Sequence, residues 1–172
     1  MLREARRRHR EGERLRFVRR DMRRLPYRGE FDAVVCLFTS FGYFSERENV
    51  ATLRKMERAL KPGGRLLIDH RNPHLDARLP SRRWDRETSR IFVLSNLRFS
   101  RRTGVHENTW LILRLGDRHI VRKALRVRLW TRRQWEHRLR AAGMRLVRAY
   151  ADLSGTPYRK ASGRLIVLAE KR

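Results

Sequence analysis

The feature that most constrains the fold is the apolar run at residues 31–38, F-D-A-V-V-C-L-F, which lies between Gly29 and Gly42. The run is almost continuously apolar, so it lacks the alternation of a strand that has one face in water. Such a run is typical of a strand that helices cover on both faces, as in a parallel sheet. The sequence therefore predicts a buried strand of an α/β fold at residues 31–38.

A helix is predicted directly after this strand. Ser45 and Glu48 form a capping box, and apolar residues follow at helical spacing, namely Val50, Leu53, Met56 and Leu60. The segment Lys61-Pro62-Gly63-Gly64 ends the helix, because proline cannot continue it and glycine accepts positive φ. Residues 65–69 then form the next buried strand. A strand, a helix and a strand in this order build a right-handed parallel crossover.

The chain changes character beyond residue 90. Residues 91–99, 107–115 and 119–130 are strand-like, and the last of these ranges alternates well between apolar and basic residues. Turn signals, Thr103-Gly104 and Gly116-Asp117, separate the three ranges. This pattern predicts an antiparallel meander that is inserted after the parallel strands.

Shorter elements are predicted towards both ends of the chain. Residues 1–11 have the pattern of the end of a charged helix, and residues 15–20 that of a short strand. Thr131 and Gln134 form a second capping box and open a helix that ends at Gly143. Two closing strands follow near residues 144–150 and 164–169.

The net charge of +26 is extreme. Such a surface attracts polyanions, and nucleic acid is the obvious candidate. Only 5 of the 44 basic residues are lysines, however, whereas nucleic-acid surfaces normally use both types. The ratio favours a coding bias that spreads arginine over every solvated face. Under either interpretation, non-specific binding to nucleic acid at low salt is predicted.

Composition argues against several classes of protein. No apolar run approaches the roughly 20 residues that span a bilayer, and the basic N-terminus does not have the pattern of a signal peptide. The single cysteine, Cys36, lies inside the apolar run, which indicates a buried thiol without a disulfide and a cytoplasmic protein. The histidines show no metal-ligand spacing, so no metal site is predicted.

Two segments carry a resemblance to a known family. Residues 15–43, which begin L-R-F-V-R-R-D-M and end C-L-F-T-S-F-G-Y, and residues 60–70, L-K-P-G-G-R-L-L-I-D-H, resemble the second half of the class I S-adenosylmethionine-dependent methyltransferase signature. The resemblance implies a Rossmann-like α/β sheet, S-adenosylmethionine as cofactor, and methyl transfer to a small-molecule acceptor. It also implies one domain over 1–172. That domain has a partial cofactor-binding half at 1–90, an antiparallel insertion beside the acceptor at 91–130, and a closing helix and two strands at 131–172.

The resemblance implies a set of cofactor-binding residues. In the family an acidic residue at the end of the third strand accepts a hydrogen bond from the adenine amino group, and the next backbone amide meets the ring. Asp21 and Met22 match these positions. A carboxylate suits the task because it only accepts, while the amine only donates. Leu37, Phe38 and Thr39 follow the fourth strand, and the resemblance places them beside the cofactor.

Candidates for acceptor binding and catalysis come from the same resemblance. Tyr43 lies near the transferred methyl, Arg71 follows the fifth strand, and Tyr158 belongs to the C-terminal loop, so all three are candidates for acceptor binding. Tyr43 and His70 are the candidates for a catalytic role, since His70 could act as a base near neutral pH. Plain packing is the alternative for both. Many methyl transfers need no strong base, because alignment with the activated sulfonium does most of the work.

One part of the family pattern is absent from this sequence. The family's glycine-rich first motif, which holds the methionine part of the cofactor, is not found, and none of the 10 glycines lies in a Gly-x-Gly pattern. We therefore interpret the domain as N-terminally truncated, with Met1 an internal methionine, and expect weak or no cofactor binding by the chain alone. Residues 31–38 would then lose a neighbouring strand, and the exposed apolar edge would favour self-association. The alternative is a non-catalytic, degenerate methyltransferase that acts as a basic RNA- or partner-binding protein.

Overall fold

The computed structural model describes residues 2–88, 90–116 and 119–172. Within these ranges the chain forms two four-stranded sheets and the helices that connect and cover them. Met1, on which the truncation hypothesis depends, and Asp117, half of a predicted turn signal, lie outside the described residues. The mixed α/β architecture that the sequence predicted is confirmed.

The first sheet carries the parallel strands. Its strands stand in the spatial order β1 (Phe31–Cys36), β2 (Leu60–Arg71), β8 (Arg164–Lys171) and β7 (Met144–Tyr150). β1 and β2 run parallel, whereas β8 runs antiparallel to both β2 and β7. The predicted parallel crossover and the two predicted closing strands are therefore confirmed, and β1 and β7 form the two edges of the sheet.

Helix α2 (Glu46–Ala59) makes the crossover between β1 and β2. The predicted capping box is present, because the Ser45 hydroxyl accepts the Glu48 N–H at 3.3 Å and the Glu48 carboxylate accepts the Ser45 N–H at 3.1 Å. Leu53 and Met56 on the predicted apolar face are buried. The local sequence thus predicts both where this helix begins and which face it buries.

The Lys61–Gly64 segment was predicted as a turn that ends the helix, but the helix already ends at Ala59. The segment forms an irregularity inside β2, where Phe31 pairs with Leu60 and Ala33 pairs with Arg65. Gly63 has a φ of 72°, which suits a residue without a Cβ. The glycines serve backbone geometry, as predicted, but within a strand rather than between two elements.

The main core lies between one face of the first sheet and two helices, α2 and α4 (Arg132–Ala141). α4 begins at the predicted capping box of Thr131 and Gln134. Trp135 and Leu139 on this helix are fully buried against the sheet. Both predicted capping boxes therefore open helices that cover the same face.

Strand β1 differs from its prediction. It forms where expected, but helices do not cover both of its faces, and Val35 is 57% exposed. Its parallel partner lies on one side only, so its other edge is open among the described residues. The predicted strand at residues 15–20 is wrong, because this segment pairs with no strand and Val18 is 53% exposed. The arginines that interrupt it give it too little apolar surface to dock beside β1.

The second sheet is an antiparallel meander, as predicted. It runs in the order β3 (Arg82–Thr88), β4 (Ile91–Ser100), β5 (Val105–Arg114) and β6 (Val121–Arg128). β3 was not predicted, because its sequence R-R-W-D-R-E-T lacks apolar alternation and it forms by pairing with β4. The short helix α3 (Pro73–Asp76) follows β2 and leads towards this sheet.

The N-terminal residues form α1 (Leu2–Arg8), none of which is buried, and a single-turn 3-10 helix (Met22–Arg24). α1 confirms a charged helix at the start of the described chain, although it ends at Arg8 rather than at Gly12. In the part of the chain that the structure describes, no helix is long and apolar enough to cross a membrane.

Candidate functional site

The loop after β1 has strained backbone at two consecutive positions. Phe38 and Thr39 have φ values of 55° and 56°, in the left-handed region that favours glycine. Each such residue costs on the order of 1–3 kcal/mol and persists only where the surrounding contacts over-determine it. Strain of this kind concentrates at ligand-binding and active sites, so this loop is the starting point for the candidate site.

Two residues, Asp69 and Arg164, hold the strained loop. The Asp69 carboxylate accepts the Phe38 N–H at 2.9 Å, and the Asp69 carbonyl accepts the Thr39 N–H at 3.0 Å. The Arg164 guanidinium donates both to the other oxygen of Asp69 and, at 3.1 Å, to the Thr39 hydroxyl. Asp69 is only 2% exposed, and both of its carboxylate oxygens are engaged by these donors. β2 and β8 thus fix the backbone that follows β1.

Three of the predicted cofactor residues meet in this loop. Leu37 is half-buried, Phe38 is 80% exposed and Thr39 is buried. The Leu37 carbonyl accepts the N–H and the hydroxyl of Ser40, at 3.2 and 2.6 Å, which closes the turn. In open parallel sheets ligands bind beyond the carboxyl ends of the strands, which is where these residues lie. Their role in cofactor binding remains a prediction.

The other two predicted cofactor residues, Asp21 and Met22, do not follow a strand. Asp21 caps the 3-10 helix by accepting the Arg23 N–H at 2.9 Å, and its carboxylate also binds the Arg23 guanidinium at 2.8 Å. These hydrogen bonds from Arg23 lower the pKa of Asp21 to about 2. Met22 is half-buried against the core. Arg23 also reaches Glu48 at 2.8 Å, which ties this segment to the start of α2.

His70, a candidate base, is fully buried beneath the loop. Its Nε2 lies 3.1 Å from the Phe41 carbonyl, and its Nδ1 has no hydrogen-bond partner in the described residues. A Cβ on Gly42 would come within 3.2 Å of the same Nε2, so the ring is packed against backbone. Burial lowers the pKa of His70 to about 4. The ring is therefore neutral at pH 7, with its proton on Nε2 and an unused acceptor at Nδ1.

Tyr43, the other catalytic candidate, lies at the surface two residues beyond the loop's buried Phe41. Its side chain is 44% exposed, and burial of the remainder raises the pKa of its hydroxyl. The hydroxyl is thus protonated at neutral pH and can donate a hydrogen bond. Its roles in catalysis and acceptor binding remain predictions.

Arg71 belongs to a buried ionic cluster at the end of β2. Its guanidinium binds both oxygens of Asp76, at 2.7 and 2.9 Å, and His106 Nδ1 donates to Asp76 at 2.6 Å. Burial alone would raise the pKa of Asp76, but the hydrogen bonds from His106 and Arg71 outweigh it and lower that pKa. Because His106 is on β5, the cluster joins the first sheet to the second through α3.

Tyr158 lies beside a second buried polar residue at this end of the sheet. Its hydroxyl donates to Asn72 Oδ1 at 3.2 Å, and the Asn72 amide donates to the carbonyls of Lys160 and Ser162, at 3.0 and 2.7 Å. Asn72 also caps α3 by accepting the His74 N–H at 3.1 Å. Arg71 and Tyr158 therefore flank the same strand end, but their polar groups are engaged in holding loops.

Sequence reasoning missed the residues that organise the site, namely Asp69, Arg164, Asn72, Asp76 and His106. One signal was available, because Asp69 and Asn72 are polar residues at the end of an apolar strand. An unpaired polar group there would be costly, so both residues should have partners. Their partners Arg164 and His106 come from distant parts of the chain and carry no local signal.

Two further predictions concern metal ions and the thiol. No group of three or more His, Cys, Asp or Glu residues that could hold a metal occurs in the described part of the chain. Cys36 is a free, buried thiol at the end of β1, and burial raises its pKa to about 11. The thiol is therefore protonated and unreactive at neutral pH.

Comparison with known proteins supports a shared domain in the first third of the chain. Residues 1–64 match the model of a family described as a methyltransferase domain. A glycine/sarcosine N-methyltransferase from Parasynechococcus marenigrum is 45% identical over 58 residues, which are 33% of this chain and 19% of that protein.

Solved structures match a larger part of the chain. The sugar N-methyltransferase KedS8 from Streptoalloteichus has 25% identity and a TM-score of 0.60 over 89% of this chain and 61% of that one. The CcbJ methyltransferase from Streptomyces caelestis has 17% identity and a TM-score of 0.74 over 85% and 62% of the two chains. An S-adenosylmethionine-dependent methyltransferase from Clostridium acetobutylicum has 14% identity and a TM-score of 0.75. The chain spans less than two thirds of the length of each of these proteins, and the likeness confirms a Rossmann-like methyltransferase fold.

Proposed function

We propose that this chain, which has the fold of the class I S-adenosylmethionine-dependent methyltransferases and matches a methyltransferase-domain family over residues 1–64, takes part in methyl transfer to a small-molecule acceptor. The observation that carries the proposal is the left-handed pair Phe38 and Thr39, held by Asp69 and Arg164 at the carboxyl end of β1. A fold stores such strain where a loop must present itself to a ligand.

In this proposal Phe38 and Asp21 contact the adenine end of S-adenosylmethionine. The ring of Phe38 is 80% exposed and offers an apolar surface to a flat base. Asp21 has a pKa of about 2, so its carboxylate is ionised at neutral pH and can accept from an amino group. When bound, S-adenosylmethionine supplies an electrophilic methyl group on its sulfonium.

The chain's own residues orient rather than deprotonate in this proposal. His70 is neutral, and its Nε2–H donates to the Phe41 carbonyl, so it supports the loop from below. Tyr43 follows the loop, is 44% exposed, and its hydroxyl can hydrogen-bond an acceptor. A neutral amine already has the lone pair that attacks a methyl group, so it needs alignment more than a base.

We propose a nitrogen atom as the acceptor. Two similar proteins are named as N-methyltransferases, one of glycine and sarcosine and one of a sugar. The ionisable groups described around the loop agree with this choice, because His70 is buried against the Phe41 carbonyl, Cys36 is protonated and the Asp69 carboxylate is engaged by Arg164 and the Phe38 N–H. An alcohol would need its proton removed, whereas an uncharged amine would not.

Titration with S-adenosylhomocysteine, monitored by NMR of the backbone amides, tests the proposal and detects binding even at a millimolar dissociation constant. We expect shifts at Leu37, Phe38 and Thr39 and none at Leu111 on the second sheet. Phe38→Ala should weaken binding severalfold, whereas the matched control Val147→Ala, on the opposite edge strand, should not. Shifts confined to residues outside the loop would contradict the proposal.

RNA binding is a second candidate function, and a surface on the second sheet supports it. Trp84 on the second sheet is 67% exposed, and Arg82 and Arg122 line a groove of about 370 Å³ together with Leu94 and Leu111. Exposed aromatic rings on a sheet stack bases, and nearby arginines bind phosphates. Salt-sensitive RNA binding without any S-adenosylhomocysteine binding would put this candidate first.

A further inference from the structure

A cavity of about 450 Å³ lies where three elements meet. α3 forms one side, the turn between β4 and β5 forms the second, and the start of α4 forms the third. None of the individual residues predicted to bind cofactor or acceptor lines this cavity, although Phe99, Arg101, Gly104 and Leu129 belong to the insertion at 91–130 that was expected beside the acceptor. Its volume is within the range of small-molecule sites.

Four basic side chains, each a potential hydrogen-bond donor, surround the cavity. They are His74 and Arg78 around α3, Arg101 after β4, and Lys160 in the C-terminal loop. Within the described chain, the side chains of Arg78, Arg101 and Lys160 make no ion pair or hydrogen bond, and no lining residue is acidic. The cavity therefore brings several positive charges together without the carboxylates that pair Arg71 and Arg164 nearby.

The other polar side chains of the lining are already engaged. Thr131 and Gln134 satisfy each other's backbone in the capping box of α4. The groups that remain available to a ligand are therefore the cationic side chains. The N-terminus of α4 adds its positive dipole end to the positive potential of these side chains. A negatively charged ligand would relieve the mutual repulsion of these charges.

The remaining wall is apolar. Pro73, Ala77, Phe99 and Leu129 line the cavity between the basic groups. Bare inorganic anions gain nothing from such a wall, whereas an anion that carries a flat apolar group buries surface against it. An apolar wall beside unpaired positive charges suits an amphipathic organic anion.

We propose that this cavity is a binding site for a small organic anion, a carboxylate or phosphate ester with an aromatic or other flat apolar group. Arg78, Arg101 and Lys160 bind the anionic end, and Phe99 and Leu129 contact the apolar end. The proposal is independent of the methyl-transfer function, since it requires neither cofactor nor acceptor.

Calorimetric titration with phenyl phosphate and with inorganic phosphate, at fixed ionic strength, tests the site. We expect phenyl phosphate to bind at least about tenfold more tightly, because only its ring reaches the apolar wall. The double variant Arg78→Gln/Arg101→Gln should lose about tenfold or more in affinity for phenyl phosphate.

The matched control is Arg54→Gln/Lys55→Gln on α2, which removes the same charge away from the cavity. It should leave affinity unchanged. Equal losses in the two double variants would show that the general basic surface attracts the anion and would overturn the proposal, as would equal affinities for the two probes. Ala77→Leu keeps every charge and fills the cavity, so it should weaken phenyl phosphate binding severalfold; unchanged binding in that variant would also overturn the site.

Discussion

The carboxylate of Asp69 in β2 accepts the backbone N–H of Phe38 at 2.9 Å, across a sequence separation of 31 residues. This hydrogen bond fixes the first of two left-handed residues at the end of β1. The same carboxylate binds Arg164 from β8. A single buried acid thus couples the central strands to the loop on which the proposed cofactor site depends.

Asp69→Asn should destabilise the chain by about 1–3 kcal/mol, because it leaves Arg164 without its charge partner and weakens a buried hydrogen-bond network. It should also broaden or shift the NMR signals of the loop. Urea unfolding monitored by circular dichroism measures the first effect. Asp32→Asn is the control, since that carboxylate is 87% exposed in its pair with Lys61 and should contribute nothing measurable. Equal effects of the two variants would contradict the role assigned to Asp69.

Replacement of Phe38 should reveal the backbone strain directly. Phe38→Gly should be more stable than Phe38→Ala by about 1 kcal/mol, because glycine adopts positive φ without the Cβ clash. The opposite order is expected at Val35, an exposed strand residue of β1, where glycine costs backbone entropy. Thermal unfolding of the four variants gives both comparisons, and alanine more stable than glycine at residue 38 would show that the loop is not strained.

His70 should make stability depend on pH below neutrality. Burial lowers its pKa from 6.5 to about 4, so between these values the unfolded chain binds the proton more readily than the folded one. Its contribution is fully present above about pH 6.5 and is lost as the pH falls towards 4, by about 3 kcal/mol in total. His70→Gln should flatten this part of the profile. His137→Gln, which changes an exposed histidine, should retain it, and an unchanged slope in His70→Gln would contradict the assignment.

The open edge of β1 should drive self-association. Phe31 and Val35 are 37% and 57% exposed on this strand, and unpaired apolar edges join other chains. Val35→Lys should shift the sedimentation profile towards monomer. Val147→Lys places the same charge on β7, the other edge strand, and should have little effect. A wild-type chain that is monomeric at all concentrations would refute the prediction.

Binding to single-stranded RNA should be present at low salt and should fall steeply between about 50 and 200 mM salt, because each phosphate contact releases counterions. Fluorescence anisotropy measures this dependence. If the second sheet stacks bases, Trp84→Ala should bind RNA more weakly than the wild type at low salt. If dispersed arginines alone attract the RNA, the same substitution should leave the affinity unchanged. Affinity that persists at high salt and depends on sequence would favour the RNA-binding alternative over the enzyme.

Local signals in the sequence predicted α2, α4 and the parallel unit correctly. The capping boxes at Ser45 and Thr131 lie within one turn of the residues they bind, so adjacent residues suffice to specify them. The meander was visible from alternation and turn residues. The segment at residues 15–20 shows the limit, because alternation alone does not form a strand without a neighbour to pair with.

The sequence by itself therefore determined the α/β class, the two capped helices, the crossover between β1 and β2, and the position of the loop at Leu37, Phe38 and Thr39. Only the tertiary structure decided what that loop and its surroundings do. The left-handed backbone depends on Asp69 and Arg164, and the basic cavity depends on elements separated by tens of residues. Such contacts exist only once the sheets are assembled, since hydrogen bonds and charges act through space and leave no periodic trace along the chain.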